Sequence, residues 1–257
     1  MKVQLLGPVS LATEDEVCDI GSARVRTVLA LLALRPGAAL SADALVDELW
    51  PDKAMGNARN ALQANIARLR KLLESVAGPG AESLVRTTSV GYQLDIPEES
   101  VDAHRFLALA AEGSRRLEED PAHAVTLLES ALRLWSGPAL LDVPCGPRCR
   151  GEATRLDERR LTAREELITA KLATGGDRVV VSELKQLVAE HPEREKFSEQ
   201  LMIALYRDGR QAEAIDAFHE ARRWLGDELG LEPGHALRDL YGLILRQDQL
   251  SMSGSGA

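Results

Sequence analysis

Residues 57–73, NARNALQANIARLRKLL, gather the side-chain types that hydrogen-bond the edges of bases and the phosphates around them. Leu62, Ile66, Leu69 and Leu73 recur at steps of four, three and four, which places them on one face of a helix. Asn60, Ala64, Ala67 and Lys71 fall on the opposite face, and Arg59, Gln63, Arg68 and Arg70 stand on the flanks. Between positions 53 and 73 there are five basic residues and no acidic one, in a chain with 40 acidic and 31 basic groups. The alanines are small enough to let a helix sit deep in a groove. An ordinary amphipathic helix with a solvated basic face has the same pattern, so its neighbours must decide.

Those neighbours come in a definite order. Val3 and Leu5, then Val9 and Leu11 around Gly7-Pro8, read as a strand pair, and residues 17–20 as a further strand. Ser22 stands where a helix N-cap is wanted; the helix runs to Leu34 and stops at Pro36-Gly37. Residues 38–40 read as a small strand. Ser41 caps a second helix, with Leu45, Val46, Leu49 and Trp50 on its apolar side, ending at Pro51. After the basic helix and Gly78-Pro79-Gly80, residues 84–87 and 91–96 read as two strands joined by Thr88-Ser89-Val90, a hairpin. Strands, helix, helix, basic helix and hairpin make a winged helix-turn-helix with the basic helix as reader. Arg86, Thr87, Thr88 and Ser89 give the wing donors of the kind that touch phosphate or the minor groove.

The charge balance agrees with a split. Up to Pro97 there are 10 basic and 11 acidic residues; the remainder holds 21 and 29, an acidic half joined to a nearly neutral one. From Val101 onward only helices are expected: residues 104–119, 121–135, 152–174, 177–190, 193–207, 211–228 and 234–247. Ala124, Leu128 and Ala131 are spaced like Ala214, Phe218 and Ala221, the small-large-small pattern by which tetratricopeptide helix pairs pack. Val181, Lys185 and Val188 keep only the register. The fold class is therefore α+β, a winged helix-turn-helix over residues 1–97, followed by an all-α tetratricopeptide-like domain over 98–250 and a flexible tail over 251–257.

Catalytic chemistry has no foothold here. There is no GxxxxGK[ST], HExxH, GxSxG or GxGxxG, and His104, His123, His191, His219 and His235 are scattered. Cys18, Cys145 and Cys149 form no paired motif, which suits reduced thiols in a cytoplasm and no metal. No cofactor is expected. Met1-Lys2 leads straight into a strand-like run, so no signal peptide is expected, and the longest apolar run, residues 28–34, is too short to span a membrane. Two rivals to a DNA-binding regulator remain. A helical scaffold for a protein partner leaves the basic helix and hairpin unexplained, and a ligand-sensing regulator would need an apolar pocket in the helical half.

Several stretches together resemble the SARP-type antibiotic regulatory activators of actinobacteria. They are Ala58-Arg59-Asn60-Ala61-Leu62-Gln63 with Ile66-Ala67-Arg68-Leu69-Arg70-Lys71, Val85-Arg86-Thr87 with Gly91-Tyr92, and Trp135-Ser136-Gly137-Pro138-Ala139-Leu140. Residues 204–214 (ALYRDGRQAEA) and 227–234 (DELGLEPG) complete them. The resemblance covers residue 1 to about Asp248. It implies an OmpR-like winged helix and a bacterial transcriptional activation domain. It further implies binding to direct repeats near the −35 region of promoter DNA as a side-by-side homodimer. Recruitment of RNA polymerase holoenzyme and control of an antibiotic or other secondary-metabolite cluster are implied with it. In OmpR-like relatives the loop before the reading helix touches polymerase, here Pro51, Asp52 and Lys53. Where many members carry a further Arg and prolines in the wing tip, this chain has Thr88-Ser89-Val90, leaving Arg86 as the basic residue there.

Roles within the reading helix follow from side-chain chemistry. Asn60, Ala64, Ala67, Arg68 and Lys71 are expected to face the groove, with Ala64 against a thymine methyl. Arg59, Arg70 and Lys71 are expected to grip phosphates. Arg68 is the expected guanine reader, a pairing worth roughly 1–3 kcal/mol of discrimination. Arg68→Ala should therefore relax preference at one base position in a footprint, and an unchanged preferred sequence would refute the assignment.

Overall fold

The structure, a computed structural model, describes residues 1–14, 16–51, 57–144 and 146–247. Alternating apolar residues at the start build an antiparallel sheet of β1 (Lys2–Gln4), β2 (Ser10–Ala12) and β3 (Val17–Asp19), in that order. Lys2 lies opposite Ala12 and Ser10 opposite Asp19. Helix α1 (Ala23–Ala33) follows; Ser22 has the extended backbone of a cap, but its hydroxyl makes no capping hydrogen bond. After β4 (Leu40–Ser41) comes α2 (Ala42–Leu49), where the Ser41 hydroxyl accepts the Ala44 N–H at 3.2 Å.

Helix α3 (Ala58–Ala77) is the expected basic helix. The hairpin strands are β5 (Val85–Thr87) and β6 (Gly91–Leu94), in a second sheet of order β4-β6-β5. The strand expected from Leu84 starts one residue later because Ala81–Leu84 closes as a 3₁₀ turn. Gly91 is required where it stands: a Cβ there would overlap the Leu40 carbonyl on the neighbouring strand. Leu29, Leu32, Leu45, Leu62, Ile66, Leu69 and Leu73 form the core under these elements, each at most 1% exposed. Each contributes about 1.5–3 kcal/mol of hydrophobic burial.

Seven further α-helices follow among the described residues. They are α4 (Asp102–Arg116), α5 (Pro121–Leu132), α6 (Pro147–Ala173), α7 (Asp177–Glu190), α8 (Glu195–Arg207), α9 (Gln211–Trp224) and α10 (His235–Arg246). Packing divides the chain into two units, Met1–Ala111 with Glu129–Thr162, and Glu112–Leu128 with Ala163–Ala257. The division falls inside α4, α5 and α6, whereas the boundary expected after Pro97 marks the change from mixed to helical sequence.

The first unit is larger than a winged helix because backbone groups of the first strand region find partners far along the chain. The Asp102 carboxylate accepts N–H groups from Leu5 (2.8 Å) and Leu6 (3.1 Å). Ser136, Leu140 and Leu141 donate to the carbonyls of Leu6, Leu5 and Gly7 at 2.8–3.1 Å. Gly7 (φ +152°) lies so close to Ser136 that a Cβ would overlap it. Asp142 accepts the Val9 N–H and pairs with Arg26 at 3.1 Å. Phe106 meets Trp135 edge-on, ring centres 5.1 Å apart, with the Arg160 guanidinium 4.7 Å over the same indole. Helix α6 starts at Pro147, five residues before the expected Glu152. The N–H groups of Arg148 (2.5 Å) and Cys149 (3.4 Å) are accepted by Glu48 of α2.

The described part of the second unit consists of helices and the turns that join them. Ala214, Phe218 and Ala221 are buried, as are Ala124 and Leu128, with Leu128 pressed on Gly113. In the weaker third copy Val181 is buried, but Lys185 is exposed and pairs with Glu213 at 3.1 Å. Gly209 (φ +79°) makes the turn from α8 to α9. Helix α9 ends at Trp224 rather than the expected Glu228, continuing as one π turn, Leu225–Leu229. Cys145 and the expected tail, 251–257, lie outside the described residues.

Asp102 makes stability depend on pH. Burial pushes its carboxyl up to about 6 from 3.8, against the lowering effect of the N–H groups it accepts. The folded chain thus holds a proton that the unfolded chain releases. Its contribution is complete below about pH 3.8 and is lost as pH rises through 6, at most about 3 kcal/mol. Relative to Asp102→Asn, the urea midpoint of the wild type should fall between pH 4 and 6.5; a constant difference would refute this.

Candidate nucleic-acid interface

The buried stripe of α3 decides what it shows. With Leu62, Ile66, Leu69 and Leu73 inward, Arg59, Asn60, Gln63, Ala64, Ala67, Arg68 and Lys71 are all exposed. Asn65 is the polar exception, 3% exposed, with Nδ2 donating to the Ala61 carbonyl at 2.8 Å. The side chains of Asn60, Gln63, Arg68 and Lys71 have no hydrogen-bond or ion-pair partner among the described residues. Two cations and two amides are thus held ready on one surface.

The other two arginines of the helix are engaged. Arg59 pairs with Asp43 at 2.9 Å, both side chains about three-quarters exposed. Such a pair is worth about 0–1 kcal/mol, so a phosphate can displace the carboxylate. Arg70 differs. Its guanidinium donates to the Val85 carbonyl at 3.0 and 2.7 Å and to the Thr87 hydroxyl at 2.9 Å. The side chain expected to grip phosphate here ties the wing to the helix, because a flank position of α3 faces β5.

The wing is closed by its own hydroxyls. Thr88 donates its N–H to the Gly91 carbonyl at 2.8 Å and accepts the Gly91 N–H through Oγ1 at 3.1 Å. Arg86 is ion-paired with Asp95. Ser89 has no side-chain partner among the described residues, and Val90 beside it is 60% exposed. The wing tip and the start of α3 enclose a groove of about 330 Å³ lined by Asp43, Arg59, Gln63, Thr88 and Ser89. Pro51 is exposed; Asp52 and Lys53 lie outside the described residues. On the flank of α3 opposite Arg70 a second cleft, about 550 Å³, is lined by Ser22, Arg24, Glu48, Asn65 and Arg68. Arg24, Glu48 and Asn65 had no place in the sequence reading. An acidic residue among the apolar positions of α2 was the available signal for Glu48. Among the described residues no group of His, Cys, Asp and Glu is arranged to hold a metal, and no helix is long and apolar enough to cross a membrane.

Two sequence families match this arrangement. Residues 20–94 match "Transcriptional regulatory protein, C terminal", and residues 101–245, more than half of the chain, match the "Bacterial transcriptional activator domain". The chain is 47% identical to the transcriptional regulator RedD of Streptomyces coelicolor over 96% of its own length and 71% of RedD. The chain belongs to the SARP family of transcriptional regulators. The regulatory protein DnrI of Streptomyces peucetius is 36% identical, with 96% of this chain and 93% of DnrI covered. The solved structure of Mycobacterium tuberculosis EmbR in complex with low affinity phosphopeptide superposes with a TM-score of 0.91. Its sequence is 32% identical, with 97% of this chain and 66% of EmbR covered. The fold of the family is the expected one, a winged helix-turn-helix followed by helices, in a regulator of transcription.

Within that family frame, Arg70 is a positioning residue for the wing. Arg70→Ala should cost about 1–3 kcal/mol of stability through the lost charge-assisted hydrogen bonds. It should leave the slope of log affinity against log salt unchanged. A slope flatter by about 0.9 would instead make Arg70 a phosphate contact.

Proposed function

We propose that this regulator is an activator that binds tandem direct repeats near the −35 region of promoters and recruits RNA polymerase. Residues 1–97 bind the DNA and 98–250 carry the activating surface. The reading rests on one observation: the exposed face of α3 presents Arg68, Lys71, Asn60 and Gln63 without internal partners beside a wing tip. Arg68 reads a guanine through its two major-groove acceptors, and Ala64 and Ala67 let the helix approach. Lys71 and Arg59 hold phosphates and set the register. Two copies sit side by side on the repeats, about one helical turn, roughly 10–11 base pairs, apart. The loop that begins at Pro51 meets polymerase. By likeness to the antibiotic regulators, the controlled genes form a secondary-metabolite cluster. The chemistry is recognition rather than catalysis.

Gel shifts on promoter fragments next to its own gene, followed by run-off transcription with polymerase holoenzyme, test the reading. The expected result is a salt-sensitive, sequence-selective shift in two steps, with raised transcript yield. A chain that binds all fragments alike, or none, is a protein-binding scaffold instead.

A further inference from the structure

We infer that Arg24, at the start of α1, grips a DNA phosphate on the flank of the reading helix opposite the wing. The inference rests on the reading of α3 as the DNA-reading helix. At roughly 100° per residue, Arg68 and Arg70 stand about 200° apart around α3. Arg70 faces β5 of the wing, so Arg68 faces the other flank. There it shares a cleft with Arg24.

Arg24 is exposed and has no ion pair among the described residues. Its guanidinium lies 5.6 Å over the ring of Trp50, a platform that holds a cation in place without neutralising it. The first turn of α1 adds to the same potential. Ser22 makes no capping hydrogen bond, no acidic residue occupies that turn, and the N–H groups of Ala23, Arg24 and Val25 have no acceptor among the described residues. Free N–H groups at a helix start attract an anion. Asn65 lines the cleft too, 3% exposed, as a neutral amide that adds no charge. Among the described residues the one carboxylate lining the cleft, Glu48, has its oxygens turned to the N–H groups of Arg148 and Cys149. Two arginines and a helix start against one engaged carboxylate make an anion site. Beside a helix seated in the major groove, the phosphate at hand is that of the strand bordering the groove away from the wing.

The test is a salt titration of duplex binding by the full chain, wild type, Arg24→Ala and Arg24→Lys. Arg24→Ala should weaken the cognate and a scrambled duplex by the same factor and flatten the slope of log affinity against log salt by about 0.9. Extrapolated from 1 M, that is about eightfold at about 0.1 M salt. Arg24→Lys should keep the wild-type slope. An unchanged slope in Arg24→Ala, or a loss confined to the cognate duplex, would overturn the inference. So would inorganic phosphate saturating the free protein with no effect of Arg24→Ala on the slope, since the site would then serve a small anion. Failure of the wild type to bind duplex selectively would instead overturn the reading of α3 itself.

Discussion

Four aliphatic side chains on one stripe of α3, Leu62, Ile66, Leu69 and Leu73, constrain everything around them. All four are at most 1% exposed, so the helix cannot rotate without bringing a polar residue into the core. Truncating any one to alanine costs roughly 2–5 kcal/mol, against a typical domain stability of about 5–15. That orientation sets Arg68 and Lys71 outward, turns Arg70 to the wing and leaves Arg59 beside Asp43. The exposed polar face of α3 is a by-product of the core.

Carboxylates perform the second ordering task. Asp102, Asp142 and Glu48 each accept backbone N–H groups from segments about 100 or more positions away along the chain. They make the strand region Leu5–Val9, the 136–143 loop and the start of α6 into one unit with the winged helix. A carboxylate that accepts two N–H groups satisfies donors that would otherwise be buried alone. The family motif at residues 135–140 is the piece that seals the first strand region. The helical half thus supplies part of the scaffold on which α3 stands.

What was legible in the sequence was periodic or local. The stripe of α3 is readable from its spacing, Ser41 from its place before α2, and the end of Asp177–Glu190 from Pro192 just after it. What escaped depends on contacts between distant positions. Helix α6 begins at Pro147, a residue suited to the first helical position, and the acceptor of its first free N–H groups, Glu48, lies 100 positions back. Charge alone groups Arg70 with phosphate contacts; only the fold reveals the Val85 carbonyl as its acceptor. Ser22 had the right type and place for a cap, yet its hydroxyl makes no capping bond. The same holds for the compact unit: composition changes at Pro97, while packing follows backbone pairings that composition does not record.

The proposed interaction places α3 in the major groove of promoter DNA with Arg68 against guanine. Dimethyl sulfate probing tests it directly, since the reagent methylates guanine N7 in the major groove and adenine N3 in the minor groove. Protected guanine N7 is expected in each of two direct repeats, with one protected guanine per repeat becoming reactive when Arg68→Ala replaces the wild type. Protection confined to adenine N3, or guanine protection that Arg68→Ala leaves intact, would contradict it.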